Sequence, residues 1–374
     1  MVPPSEIKAV VIAQPGVAEV QTVPLPTLRD DYILVRPTAV ALNPSDWKHV
    51  EGVDGNTGCR VGGDYAGVVE SVGSKVTKKF VPDDRICGMV HGSNSVQPED
   101  GAFAEYIVVR GDLQIKIPDN LTDEEAATLG IGISTVGQGL YQALKLPLPP
   151  TTTTVGQQQQ PQGLIFIYGG STATGILGIQ FATLSGYRAV TTCSPRNASY
   201  LQSLGAALVI DYNTDPTSAA TEIKAWIDGD SNPNFLTLAW DCIGTPKSAA
   251  FCASVLSRQD DHSCRYYSLL PVHEEVIRAT NPRVVDMGFT FAYTAIGERF
   301  GGHTPGGWKI PASVEDFEFG KMFWELSRQL LAQGKVKPAR GYVNRGGKGL
   351  EGVLFGLKET KEGRVSGGKL VYTL

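Results

Sequence analysis

From residue 7 to residue 109 the apolar positions fall in short runs, punctuated by Gly, Pro and Asp. The runs 7–13, 32–42, 67–72, 85–90 and 103–109 are rich in β-branched residues and predict short strands. Strands packed this densely predict a partly closed antiparallel barrel or sandwich. At TDEE (122–125) the pattern changes. Thr122 and Glu125 have the spacing of a capping box, so a helix is expected to begin there. A second helical stretch covers 133–144. From 164 onward, apolar runs at 164–168, 188–192, 207–210, 236–240 and 265–269 alternate with helical stretches at 172–185, 196–204, 217–228 and 246–256. Alternation at that spacing means βαβ units on a parallel sheet. A long helix over 314–333, another over 348–361 and a strand over 369–373 close the chain, and these last segments are expected to rejoin the first domain.

The expected fold class is therefore α/β, a β-rich domain followed by a doubly wound parallel-sheet domain. Between 147 and 163 the sequence PLPPTTTTVGQQQQPQG shows no periodicity and reads as a mobile surface loop. A length of 374 residues suffices for two domains with substantial cores. A net charge of -5 argues against a general nucleic-acid face. No apolar run approaches the ~20 residues that span a bilayer. The opening MVPPSEIKAV lacks the basic-then-apolar pattern of a secretory signal, so a cytoplasmic location is expected. Six cysteines lie far apart with no C-x-x-C pair, as small buried apolar residues do. Five histidines show no H-x-x-x-H spacing, and no metal site is expected.

The candidate chemistry begins at IFIYGGSTATGILG (165–178), an apolar run ending in two glycines and turning into a helix. Such a turn lets backbone approach a pyrophosphate at a helix N-terminus. The usual G-x-G-x-x-G is altered. Gly169 and Gly170 make the turn, Gly175 or Gly178 permits close helix packing, and Ser171, Thr172, Ala173 and Thr174 intervene. The hydroxyls among these can donate to phosphate oxygens. Taken alone, the loop also reads as a plain strand–helix turn.

The next strand ends in CSPRN, where an NAD site would place an acid on the ribose diol. Ser194, Pro195, Arg196 and Asn197 offer donors and a positive charge instead, which suit the 2′-phosphate of NADPH. The alternative is a solvated Arg196 opening a helix. Tyr212, at the following strand end, either flanks the adenosine or is an ordinary half-buried tyrosine.

The segments NPSDWK (43–48), VGGDYAGVV (61–69), DRICG (84–88), GAFAEYIVV (101–109), LGIGISTVGQGL (129–140), LGA (204–206) and SGGKLVY (366–372) resemble the medium-chain dehydrogenase/reductases over nearly the whole chain. Within that superfamily, GGSTATG, CSPRN and the 147–163 insertion are similar to the fungal trans-acting enoyl reductases of polyketide synthases, of the lovastatin type. The resemblance implies a GroES-like domain over 1–130 and 315–374 and a Rossmann domain over 131–314. Zinc alcohol dehydrogenases of the superfamily carry a Cys in the segment aligning with NPSD and G-H-E where this chain has Gly62, Gly63 and Asp64. Both ligands are missing here, as is the four-cysteine structural lobe, so zinc-free reduction of an activated C=C bond is expected.

The resemblance further implies hydride transfer from NADPH to the β-carbon of an α,β-unsaturated thioester, carried on the acyl carrier domain of a polyketide synthase or a synthase–peptide synthetase hybrid. It places Ser45, Asp46, Trp47 and Lys48 beside the nicotinamide end, with Lys48 the side chain best suited to polarise there, or else an exposed helix lysine. Leu269, Leu270, Val365 and Ser366 are expected to pass near the nicotinamide. Thr135, Val136, Gly137, Gln138, Gly139, Leu140, Tyr141 and Gln142 should line the substrate cleft. Ala292, Tyr293, Thr294, Ala295 and Ile296 align with the wall of the acyl chain, although their character equally suits a buried strand. GGHTPGGWK (301–309) reads as a lid or a mobile loop, and Lys75, Lys78 and Lys79 as a carrier-docking patch or a solvated turn. The proton donor stays open among Lys48, Tyr141 and solvent. The chain is expected to be a monomer. Two other functions fit the same residues: a freestanding NADPH reductase of quinones or enones, and an NADPH-binding protein without turnover.

Overall fold

A computed structural model describes residues 3–52, 56–151, 162–229, 235–301 and 309–374. Most of the 147–163 stretch and of 301–309 lies outside these residues. The chain divides into two compact units, Met1–Ser134 with Ala292–Leu374, and Thr135–Phe291.

The first unit begins with β1 (Glu6–Gln14) and β2 (Val17–Pro24), an antiparallel hairpin of which the sequence pattern announced only the first strand. Then follow β3 (Tyr32–Ala41), α1 (Pro44–Val50), β4 (Asp64–Val72), β5 (Arg85–Met89), β6 (Ile107–Arg110) and β7 (Ile115–Lys116). The expected strand at 103–109 is shorter, because the backbone of Phe103 is shared between Val10 and Val61 rather than laddered along one partner. The capping box forms as expected. Thr122 Oγ1 accepts from Glu125 N–H at 3.2 Å and Glu125 Oε2 from Thr122 N–H at 3.0 Å, starting α2 (Asp123–Ala127).

After α3 (Gly130–Val136), β8 (Gly163–Tyr168) opens an alternating series: α4 (Ala173–Leu184), β9 (Tyr187–Cys193), α5 (Ala198–Ser203), β10 (Ala206–Asp211), α6 (Pro216–Asp228), β11 (Leu236–Asp241), α7 (Pro246–Val255), β12 (Cys264–Ser268), α8 (Glu274–Thr280) and β13 (Val284–Phe289). The last pair, α8 and β13, was not read from the sequence. The six strands are all parallel, in the order β10-β9-β8-β11-β12-β13. That is the doubly wound order 3-2-1-4-5-6, whose ligand crevice lies beyond the carboxyl ends of the strands at the β8/β11 switch point. Phe166, Phe251, Ala239 and Tyr266 fill the core around it.

The chain rejoins the first unit at Ala292, earlier than the expected boundary at 315. Glu298 accepts from the Tyr32 hydroxyl at 2.8 Å and pairs with Arg110 at 3.2 Å, so the segment is tied to β3 and β6. Small strands β14 (Phe300–Gly301) and β15 (Lys309–Ile310) precede α9 (Val314–Ala332), β16 (Gly341–Val343), α10 (Gly349–Lys361) and β17 (Lys369–Thr373). The large sheet of this unit runs β16-β17-β3-β4-β5-β7, with β6 also on β3. Tyr65, Phe103, Val353 and Tyr372 are among its fully buried core residues. No described helix is long and apolar enough to cross a membrane.

Candidate active site

In the second unit β8 delivers Gly169 and Gly170 to the carboxyl edge of the sheet. Gly169 takes φ +81°, which glycine adopts without steric cost. A Cβ on Gly170 would lie 2.0 Å from Thr191 Oγ1, and one on Gly175 would lie 2.4 Å from Gly169 O. Gly178 is pressed against the Trp240 ring in the same way, at 2.3 Å. The altered motif therefore keeps all its close approaches. Thr172 is different from expectation. Its hydroxyl accepts from Gly175 N–H at 2.9 Å and donates to Gly169 O at 2.8 Å, as the N-cap of α4. It is committed on both sides and is not a phosphate donor. Ser171 and Thr174 are only half buried, and their hydroxyls have no partner among the described residues. Ala173 opens the first turn of α4.

At the end of β9, Ser194 to Asn197 form a tight turn. Arg196 is exposed and has no carboxylate partner among the described residues. Asn197 is buried, with its Nδ2 donating to Ser194 Oγ at 3.3 Å. That contact uses one of the two N–H groups of the Asn197 amide. Tyr212 donates its N–H to Cys193 O at 3.2 Å, which sets its half-exposed ring beside this turn. Asp211 is folded back on Asn213 at 3.0 and 3.1 Å. At the neighbouring strand ends, Gly244 lies so near Leu270 that a Cβ would be 2.8 Å away, and Leu269 N–H bonds Asp241 O. Gly169, Ile243, Gly244 and Leu270 thus share the carboxyl edge.

The 135–142 segment is the least regular. Its α-helical turn passes into a π-helical one over Gly137–Ala143, closed by Leu144 N–H on Gly139 O at 3.0 Å. The wider turn rotates Tyr141 inward, where its hydroxyl meets Ser185 Oγ at 2.9 Å and Phe181 O at 3.2 Å. Tyr141 is a core residue of the second unit, and burial pushes its phenol well up. It drops out as a proton donor. Gly139 abuts the Trp240 indole, and Thr135, Val136, Gln138 and Leu140 are buried.

In the first unit the segment after β3 starts α1 with a local lock: Asp46 Oδ2 accepts Asn43 N–H at 2.6 Å. Burial pushes the Asp46 carboxyl up to about 7, against the pull of the Asn43 amide. Pro44 at the first helical turn needs no donor there. Lys48 is exposed, its Nζ 5.9 Å from the Trp47 ring, and it has no carboxylate partner among the described residues. Behind the segment lies a group that sequence reading missed. Lys369, 3% exposed, contacts Asp64 Oδ2 and donates to Asn43 Oδ1 at 2.9 Å. Asp64 Oδ1 accepts Ile131 N–H at 2.7 Å, at the start of α3. One buried ion pair thus joins β17, β4, α1 and α3. Gly63 is packed on Ile131: a Cβ on this glycine would lie 2.3 Å from Ile131 Cδ1, so a side chain there would have to displace the end of the Ile131 chain. Among the described residues no three His, Cys, Asp or Glu side chains gather around a common point.

Next to α1, Tyr293 stacks on His91 at 4.1 Å, with His49 at 5.8 Å and Phe300 edge-on to His91. Ser45 lies at the Tyr293 hydroxyl. Burial lowers His91 to about 3 and His49 to about 4, the latter helped by the Lys48 ammonium, so both rings are neutral near pH 7. Ala292–Ile296 form a short helical turn, not a strand; Thr294 is half buried and the others are buried. Val365 and Ser366 precede β17, with Ser366 O held by the Tyr342 hydroxyl at 2.8 Å. Of the three expected patch lysines, Lys75 pairs with Asp30 at 3.0 Å, Lys78 donates to Gln114 O at 2.9 Å with burial lowering it to about 8, and Lys79 is exposed. All six cysteines are buried free thiols.

Comparison with known proteins agrees with this fold. The alcohol dehydrogenase GroES-like domain matches residues 29–119. The trans-enoyl reductase resD of Aspergillus sclerotiorum is 46% identical over 98% of this chain and 99% of its own. The trans-enoyl reductase ACTTS2 of Alternaria alternata is 40% identical, over 98% of each. Among solved structures, the CurK enoyl reductase superposes with a TM-score of 0.72 at 18% identity, over 99% of both chains. A quinone oxidoreductase from Coxiella burnetii does so at 0.69 and 20%, also over 99% of both. At these identities the structures speak for the fold alone.

Proposed function

The chain belongs to the trans-enoyl reductases of the medium-chain dehydrogenase/reductase superfamily, and we propose on that premise that it is an NADPH-dependent, zinc-independent reductase of α,β-unsaturated thioesters carried by a polyketide synthase. That it is an enoyl-type oxidoreductase using a nicotinamide cofactor follows from its relatives. The finer reading rests chiefly on Arg196: an exposed guanidinium with no carboxylate partner among the described residues stands where an NAD site needs an acid. A guanidinium favours the 2′-phosphate by charge-assisted, planar hydrogen bonding. Ser171, Thr174 and the N–H groups of the first turn of α4 would hold the pyrophosphate, and Tyr212 the adenosine. Leu269, Leu270, Val365, Ser366 and Ser45 to Lys48 would receive the nicotinamide end. When bound, the cofactor supplies hydride; the chain orients substrate, excludes water and stabilises the developing negative charge. The neutral rings of His91 and His49 and the buried Ala292–Ile296 turn would face an acyl chain with low-polarity surface. Asn43 and Asp64, the residues in the segments that hold zinc ligands in alcohol dehydrogenases, are both engaged by Lys369, and Gly63 carries no imidazole; this supports zinc-independent chemistry.

The test is cofactor oxidation with a short enoyl-pantetheine thioester, run beside a simple quinone and with NADH as control. Turnover of the thioester with NADPH, little with NADH and little of the quinone is expected. Strong quinone turnover with an inert thioester would instead make the protein a freestanding quinone reductase.

A further inference from the structure

Among the described residues, Asn43 carries a donor with nothing to donate to. The residue is 9% exposed, and its Oδ1 accepts from Lys369 Nζ at 2.9 Å. An ammonium only donates, so the amide orientation is fixed by chemistry: oxygen toward the lysine, NH2 away from it. The Nδ2 group finds no acceptor among the described residues. Leaving a buried donor unsatisfied carries its full desolvation penalty, and folded proteins keep few such groups. The charged groups around it are not short of partners. Asp64 holds Lys369 and Ile131 N–H, and Asp46 holds the Asn43 N–H.

The lysine also changes the donor. A positive charge on Oδ1 withdraws electron density from the amide and strengthens its N–H groups as donors, an effect that a low-dielectric interior preserves. Asp64 neutralises Lys369, so the site presents a polarised but uncharged donor. It sits two residues before Ser45, at the head of the segment assigned to the reacting end of the cofactor.

We infer that Asn43 Nδ2 donates to the carbonyl oxygen of the enoyl thioester and to the enolate oxygen that forms from it. This inference rests on the enoyl reductase reading. Addition of hydride at the β-carbon moves the C=C pair into a new C=C bond between the α-carbon and the carbonyl carbon, and the carbonyl pair onto oxygen. Asn43 bonds that oxyanion. Protonation of the α-carbon from solvent then restores the C=O bond and leaves the saturated thioester, the oxidised cofactor and an unchanged amide.

Asn43→Ala and Asn43→Ser test it, with three readouts on each and on the unsubstituted protein: kcat, NADPH affinity by fluorescence, and the carbonyl stretch of a ¹³C-labelled enoyl thioester bound with NADP⁺. Loss of one oxyanion donor lowers kcat by about 10²–10³ in a comparable site, and a fall of at least roughly tenfold is expected here, with NADPH affinity held within about threefold. The bound carbonyl should stretch at lower frequency than the free thioester in the unsubstituted protein and return toward it in Asn43→Ala. An unshifted carbonyl in the unsubstituted protein overturns the inference even if neither variant folds. So does undiminished kcat, or a loss confined to NADPH affinity, which would put the acceptor on the cofactor. If the unsubstituted protein reduces no thioester, the enoyl reductase reading itself has failed.

Discussion

Lys369→Met should destabilise the first unit by about 3–5 kcal/mol, because it strands the Asp64 carboxylate in a fully buried site. The ammonium is 3% exposed and Asp64 0%, so neither water nor another cation in the described cluster can replace the lost partner. The pair itself is a different matter. Its desolvation offsets much of its attraction, so removing both charges together is far less costly than removing one. Asp64→Asn with Lys369→Met keeps an oxygen for Ile131 N–H and should recover most of the loss. Urea unfolding of both variants beside the unsubstituted protein measures both effects. A single variant that loses less than about 1 kcal/mol would mean that the carboxylate finds water or sheds its charge at little cost.

Arg196→Ala is expected to weaken NADPH binding by about 10- to 150-fold, the equivalent of roughly 1.5–3 kcal/mol for a charge-assisted contact. NADH lacks the 2′-phosphate and should be almost unaffected. The contrast between the two cofactors, measured by fluorescence titration, is the informative quantity. Equal weakening of both would remove Arg196 from the phosphate site. No acid stands at that strand end to take over the ribose, since Asp211 is turned onto Asn213.

Local signals carried the fold well. The Thr122 and Glu125 box, the strand–helix alternation after 163 and the terminal strand all depend on neighbours within a few residues, and all form. The hairpin partner β2 was missed because its residues are only partly buried, and α8 because its amphipathic stretch is a mere seven residues long. In the candidate site, the CSPRN turn forms at the end of β9 with Arg196 exposed, and its charge type, the basis of the NADPH proposal, is a local feature of the sequence. Thr172 was misjudged although its spacing to Gly175 is that of a helix cap, a signal in plain view. Tyr141 could not be placed by helical phase, since a π turn adds a residue and shifts the buried face. The Lys369–Asp64 pair joins residues 305 apart in the chain, and only the sheet order brings β17 near β4. Asn43 acquires its orphan donor from that pair, so no window of sequence around NPSD could have shown it.

The most direct measurement uses NADPH deuterated at C4, with each face labelled in turn, and an enoyl-pantetheine thioester, followed by NMR of the product. Deuterium on the β-carbon from one face only is the result expected of an enoyl reductase. Deuterium on the α-carbon, or a thioester recovered unreduced while the cofactor is oxidised by a quinone, would contradict it.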